Sequence, residues 1–129
     1  MNLIEWTEQY IRFKDAMKKN IKEIRTEKNK LIIKEKNEEK EYLIEEKLDK
    51  TIENLKEKKQ IIVCLNTKEN LNTLINKWDE VKNKKKLTII FVQLETNDKW
   101  LIQPHTHDKI SENISEGLKT LYESIKNKD

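Results

Sequence analysis

An acidic and a basic residue follow a short apolar segment, and this is the feature of the sequence with the clearest chemical meaning. Residues 42–44 form a β-prone run, and Glu45, Glu46 and Lys47 come directly after it. Because side chains alternate along a strand, we expect Glu45 and Lys47 on the same side. A carboxylate that binds Mg²⁺ or Mn²⁺ beside an ammonium that polarises a phosphate or positions a water suits phosphodiester chemistry. The alternative interpretation is a solvated strand face.

Both histidines of the chain lie in one short segment that also contains an acid. His105, His107 and Asp108 follow Pro104, and two imidazoles with a carboxylate are ordinary ligands of Zn²⁺ or another transition metal. A closed zinc site needs a fourth ligand, and the lone Cys64 lies in a predicted core strand, where a free thiol usually acts as a small hydrophobe. The alternative is a turn in which Pro104 ends a strand, the histidines are polar loop residues and Asp108 caps the last helix.

A cluster of lysines lies between a predicted helix and a predicted strand. Lys82, Lys84, Lys85 and Lys86 are expected on an exposed basic loop. Such a loop can contact the backbone of DNA or RNA, although the same pattern is also typical of a solvated turn. Phosphate binding by a Gly-rich loop is excluded, because Gly117 is the single glycine of the sequence.

The composition limits the class of protein. The 129 residues are 35% apolar and 40% charged, with one Gly, one Pro and one Cys, which excludes collagen, disulfide scaffolds and proteins with apolar membrane spans. This length predicts a single domain over 1–129. The net charge is +3, and all of the 27 basic residues except Arg12 and Arg25 are Lys, unlike a surface dedicated to bidentate phosphate recognition. Without a signal-peptide pattern or paired cysteines, we expect a cytoplasmic protein.

The first element is predicted to be a long amphipathic helix over 3–26. Its apolar residues recur at steps of three and four, which places them on one helical face. That face runs for about six turns, more than a small core covers. A homodimer formed through this helix, or through the edge of the following hairpin, is therefore one hypothesis. The residues of the face are Leu3, Trp6, Tyr10, Phe13, Met17, Ile21 and Ile24.

The next segment is predicted to be a β-hairpin over 30–47, with the β-prone runs 31–33 and 42–44 as its strands. One charged helix from 3 to 60 is the competing interpretation, because Glu and Lys favour helices and neither Gly nor Pro interrupts the segment. The hairpin is favoured because a helix would spread the apolar run 31–33 over more than one face.

The remaining pattern predicts a mixed α/β domain. A short helix follows Asp49, and residues 61–92 form a β-α-β unit with parallel strands 61–65 and 87–92 and a helix over 67–82. An antiparallel strand over 99–103 and a terminal helix over 109–126 complete a C-terminal hairpin and helix over 87–126. The predicted fold is a single α/β domain with a mixed sheet flanked by helices, in the order α-β-β-α-β-α-β-β-α.

With Glu45-x-Lys47 at the end of the hairpin, the chain resembles the PD-(D/E)xK restriction-endonuclease-like superfamily, and within it the small archaeal Holliday-junction resolvases. The family order is a helix, a hairpin, a strand bearing (D/E)xK, a strand-like segment, a helix and further strands, and the resemblance covers residues 20–104. It implies a metal-dependent nuclease that acts on DNA or RNA with Mg²⁺ or Mn²⁺. Glu45 would be the metal ligand, and Lys47 would be the cation that stabilises the transition state or positions the water.

The chain departs from this family at one position. The family requires an acidic residue at the start of the preceding strand, where this sequence has Asn29 and Lys30, with Glu27 the nearest acid and Glu35 at the far end of the strand. The leading hypothesis is therefore a nucleic-acid-associated domain that is catalytically degenerate. The alternatives are a non-enzymatic interaction module that forms a homo-oligomer and a metal-binding protein that uses the histidine segment.

Overall fold

The apolar spacing at the start of the chain produces helix α1 (Leu3–Lys18), which ends well before residue 26. Lys19 adopts a left-handed conformation with φ 49°, and the Asp15 carboxylate accepts a hydrogen bond from the backbone N–H of Asn20 at 2.7 Å. These contacts turn the chain out of the helix.

The segment predicted as the end of the first helix is strand β1 (Ile21–Glu27), so the prediction of a helix over 3–26 is wrong in its second part. The pairing of β1 with its neighbour has a register irregularity between Ile21 and Glu23. Because of this bulge, Ile21 and Ile24 both pack against the core that α1 covers. A bulged strand thus reproduces the spacing of three residues that is typical of a helix.

The computed structural model describes residues 1–126, so the last three residues of the predicted domain, 127–129, lie outside the described part. No helix in the described part is long and apolar enough to cross a membrane. After β1 the chain forms, in order, β2 (Lys30–Glu35), β3 (Glu39–Ile44), α2 (Asp49–Ile52), β4 (Gln60–Leu65), α3 (Lys68–Asn76), α4 (Trp78–Val81), β5 (Leu87–Gln93), β6 (Asp98–Ile102), α5 (Pro104–Ile110) and α6 (Ile114–Ser124).

The strands of the described residues form one six-stranded mixed sheet in the order in which they occur in the chain. Strands β1, β2 and β3 are an antiparallel meander. Strand β3 is parallel to β4, β4 is parallel to β5, and β6 is antiparallel to β5. The predicted mixed α/β sheet and its central parallel pair are confirmed, whereas the predicted element order lacks β1.

Two further predicted helices are each divided. The segment 67–82 forms α3 and α4, because Lys77 leaves the helical region with φ −102° and ψ 11°. The segment 109–126 is also interrupted, since Ser111 is extended between α5 and α6. Pro104 is the first residue of α5. Its missing N–H costs no hydrogen bond there, because the first N–H groups of a helix have no partner within the helix.

Each face of the sheet carries its own apolar core. Helix α1 packs on one face, whereas α2, α3, α4 and α6 pack on the other. Strands β4 and β5 contribute to both cores because successive side chains point to opposite faces. The first core includes Trp6, Ile11, Leu31, Ile33, Tyr42, Val63 and Ile90, and the second includes Leu48, Ile62, Leu71, Leu74, Trp78, Phe91, Trp100 and Leu118.

A buried carboxamide connects these elements. Asn70 of α3 is 2% exposed, and its Nδ2 donates to the carbonyl oxygens of Glu46 at 2.7 Å and Leu65 at 2.8 Å. Its Oδ1 accepts from the backbone N–H of Leu48 at 2.9 Å. The loop after β3 is thereby fixed against α3 and the end of β4.

We expect Asn70→Ala to lower the free energy of unfolding by about 2–4 kcal/mol, because it leaves buried backbone groups without partners. Asn72→Ala is the matched control, since Asn72 is an exposed residue of the same type on the same helix. Urea denaturation of both variants measures the difference. Equal stability of the two variants would contradict the role of the Asn70 hydrogen bonds.

Candidate functional site

A cavity lies on the sheet face opposite α1, between the β1–β3 meander and α2. Its volume is about 600 Å³. The helices of this face pack mainly on β4, β5 and β6, so the meander is left partly uncovered. We call this cavity the meander pocket. Its lining is rich in charged and amide side chains: Glu27, Lys28, Asn29, Lys30, Glu41, Glu45, Lys50, Asn54 and Lys56, with Leu43, Ile44 and Thr51.

Glu45 lies in the meander pocket. It follows the last residue of β3, and Asn29 precedes the first residue of β2. Antiparallel pairing of the two strands brings these positions together, and Asn29 Nδ2 donates a hydrogen bond of 2.8 Å to Glu45 Oε1. A carboxamide thus faces the carboxylate at the position for which the family resemblance requires an acid.

Lys47 is not part of the same pocket. Its Nζ lies 4.0 Å from Glu69 Oε1 on the exposed surface. The expectation that Glu45 and Lys47 share one side assumes that the strand continues through residue 47, but β3 ends at Ile44. The hydrogen bond from Asn70 to the Glu46 carbonyl holds the intervening backbone in a loop. The structure therefore separates the two residues of the sequence motif.

Glu41 is a residue of the pocket that the sequence analysis missed. It is 3% exposed, and its carboxylate forms ion pairs with Lys58 and with Lys30, the latter at 3.2 Å. Gln60 Nε2 donates to it at 3.3 Å. Burial alone would raise the pKa of Glu41, but the hydrogen bonds and charges of Lys58 and Lys30 outweigh burial and lower it. Strand alternation was the available signal, because it places Glu41 and Glu45 on one face.

The predicted basic loop does not line the meander pocket itself. A smaller cavity of about 140 Å³ is lined by Lys84, Lys85 and Lys86 and by the segment 55–58, and Lys56 of that segment also lines the meander pocket. Lys84 lies 3.5 Å from Glu57. Lys82 lies 3.2 Å from Asp79 and does not line either cavity.

The histidine segment forms α5, and each of its three candidate ligands contacts Trp78 or Lys82. His105 Nδ1 donates to the carbonyl oxygen of Lys82 at 3.0 Å, because a carbonyl can only accept. Asp108 Oδ1 accepts from Trp78 Nε1 at 2.8 Å, and the His107 ring lies edge-on to Trp78 with a centroid distance of 6.0 Å. On this helix the two histidines point about 200° apart.

These contacts connect α5 to α4. Within residues 1–126, no three His, Cys, Asp or Glu side chains form a group that could hold a metal. The sequence suggested that Asp108 caps the terminal helix, but Asp108 is not the cap in the structure. Asn113 caps α6 and accepts from the Glu116 N–H at 3.2 Å.

The lowered pKa of Glu41 predicts a pH-dependent contribution to stability. A carboxylate with a depressed folded-state pKa stabilises the fold above its ordinary value of 4.5, and that contribution disappears as the pH falls through the folded-state value. We expect Glu41→Gln to cost about 1–3 kcal/mol at neutral pH, since both lysines remain partly solvated.

The difference between wild type and Glu41→Gln should shrink as the pH is lowered below 4.5. Thermal unfolding across this range measures it, and the exposed Glu39→Gln on the same strand is the control. If the difference in stability between wild type and Glu41→Gln does not change with pH, the charge of the Glu41 carboxylate does not stabilise the fold.

Comparisons with known proteins identify no relative of this chain. No family model, no curated protein and no solved structure matches it. A functional assignment therefore rests on the residues and geometry of the site.

Proposed function

We propose that this protein is a nucleic-acid-binding domain of the restriction-endonuclease-like type whose catalytic site is degenerate. The observation that carries the proposal is the hydrogen bond between Asn29 and Glu45 in the meander pocket. The two residues occupy the positions at which the resemblance requires a pair of acids.

The chemistry of this pair supports binding without cleavage. Mg²⁺ prefers carboxylate and water oxygens in a nearly octahedral arrangement. Here an amide N–H of Asn29 donates to Glu45 Oε1, so this bond takes up one acceptor site of the carboxylate, and Asn29 adds no second negative charge for a metal ion. Lys47 pairs with Glu69 outside the pocket, which also removes the second residue of the motif from Glu45.

The distribution of lysines supports a polyanionic partner. Five lysines that line the two cavities make no ion pair with a described residue, and we call them the lysine path: Lys28, Lys50, Lys56, Lys85 and Lys86. Lysine is a compact, hydrated charge that attracts the phosphate backbone and carries little sequence information. We therefore expect binding that depends strongly on salt and weakly on sequence.

Neutralisation of the lysine path should weaken the binding of duplex DNA. In Lys85→Ala/Lys86→Ala we expect the slope of log K against log salt to become less negative by roughly 1–2, because two phosphate contacts are lost. Lys109→Ala/Lys119→Ala removes the same charge from exposed positions outside both cavities. Fluorescence anisotropy over a salt series distinguishes the pairs. Identical slopes for both double variants would contradict the lysine path.

Asn29→Asp should create the acid pair that the chain lacks. Two adjacent carboxylates repel each other, so we expect a lower melting temperature without metal and recovery when Mn²⁺ is added. The wild type should show no such response and no cleavage of branched, single-stranded or duplex DNA with Mg²⁺ or Mn²⁺.

Asn37→Asp, an exposed change of the same type between β2 and β3, is the control for the added charge. Metal-dependent cleavage by the wild type that disappears in Glu45→Gln would show an active nuclease. That result would overturn the degenerate assignment.

A further inference from the structure

A row of aromatic side chains lies on α1, on the sheet face opposite the meander pocket. Trp6, Tyr10 and Phe13 follow one another along one side of the helix. The Trp6 and Tyr10 rings are stacked, with centroids 5.2 Å apart and planes 9° apart. Trp6 belongs to the core, whereas Phe13 is 82% exposed. The row therefore starts in the protein interior and ends with an uncovered ring.

A cavity of about 290 Å³ lies beside this row. Its volume is near the lower end of the range for small-molecule sites, about 300–1,000 Å³. It lies between α1 and the turn that joins β5 to β6. Its lining combines aromatic, amide and basic side chains: Trp6, Gln9, Tyr10, Phe13, Asn97 and Lys99.

Asn97 presents hydrogen-bond donors beside the aromatic row. Its Oδ1 accepts from Trp6 Nε1 at 2.6 Å, and an indole N–H can only donate. The amide oxygen of Asn97 is thus committed to Trp6, which leaves its two amide N–H donors for another group. The left-handed backbone of Asn97, with φ 62°, holds the side chain in the β5–β6 turn.

Two cations complete the arrangement. Lys14 Nζ lies 5.3 Å and Lys99 Nζ 5.4 Å from the centroid of the Tyr10 ring. Stacking rings beside lysines are the combination that single-stranded nucleic acids bind, with bases on the rings and phosphates near the cations. A second copy of this chain is disfavoured as the occupant, because it would bring the same two lysines toward their counterparts.

We propose that this surface binds an unpaired nucleotide of single-stranded nucleic acid. The base stacks on Phe13, the amide donors of Asn97 face the acceptors of the base edge, and Lys14 and Lys99 attract the flanking phosphates. The site lies on the face opposite the meander pocket and does not depend on the function proposed for that pocket.

The test compares a short oligo(dT) with an abasic oligonucleotide of the same length, which keeps the phosphates and lacks the bases. We expect the wild type to bind oligo(dT) about 10-fold more tightly, within the range of one stacked base. Phe13→Ala should abolish this preference and leave abasic binding unchanged, whereas Phe13→Trp should retain it.

Met17→Ala is the matched control, because Met17 is 93% exposed one turn farther along α1 and does not line the cavity. We expect it to keep the preference for oligo(dT). Equal wild-type affinity for both oligonucleotides, no binding of either, or an unchanged preference in Phe13→Ala would overturn the proposal. A dimer in sedimentation that both Phe13→Ala and Met17→Ala dissociate, without a preference for bases, would also overturn it and identify a self-association surface.

Lys85→Ala/Lys86→Ala separates this proposal from the nucleic-acid binding proposed for the lysine path. That double variant should leave the ratio of oligo(dT) to abasic affinity unchanged, even where it lowers both affinities. Loss of the ratio in this variant would show that base recognition depends on the lysine path and would overturn the separate site on α1.

Discussion

The buried carboxamide of Asn70 determines how the chain leaves β3, and the meander pocket depends on that exit. Its hydrogen bonds to Glu46, Leu65 and Leu48 connect the loop after β3 to α3 and to the end of β4. A carboxamide suits this place because it offers two donors and an acceptor without a charge. After this loop, Leu48 packs in the core and α2 begins at Asp49. Helix α2 forms one wall of the pocket.

The unequal coverage of the two sheet faces explains why the pocket is polar. Strands β4 and β5 are apolar on both faces because both faces are covered. The meander is covered by α1 on one face only, so its other face carries charged residues. Glu41 is nevertheless nearly inaccessible to solvent, and its desolvation is offset by Lys30, Lys58 and Gln60.

The parts of the fold that the sequence predicts are those in which the spacing of apolar residues fits a strand but not a helix, or a helix but not a strand. The apolar runs 61–65 and 87–92 fit buried strands, and the structure pairs them in parallel. Ile21 and Ile24 fit a helix equally well, and only the bulge opposite β2 makes that spacing compatible with a strand. Such a bulge depends on the partner strand, so local sequence does not reveal it. Pro104 was similarly ambiguous, because proline both ends strands and begins helices.

At the candidate site, strand alternation puts Glu41 and Glu45 on one face, and hairpin pairing puts Asn29 opposite Ile44, next to Glu45. The position of Lys47 was not predictable, because it depends on where β3 ends and on the Asn70 hydrogen bond in the loop. The lysines of the pocket come from the turn before β2 and from the α2 segment. Their proximity follows from the β3–β4 crossover and has no signal in sequence spacing.

Among the residues that line the meander pocket, three lysines that form no ion pair with a described residue outnumber the single unpaired carboxylate, and this balance suits the polyanionic partner that we propose. Glu27 pairs with Arg25 at 3.2 Å, and Glu41 is neutralised by its two lysines. Asn29 is uncharged, so its hydrogen bond to Glu45 brings no positive charge to this carboxylate. A single carboxylate among the uncommitted lysines of the lysine path attracts phosphates more than divalent cations. On the proposed function, an uncharged Asn29 beside Glu45 therefore suits a phosphate-binding surface better than a metal site.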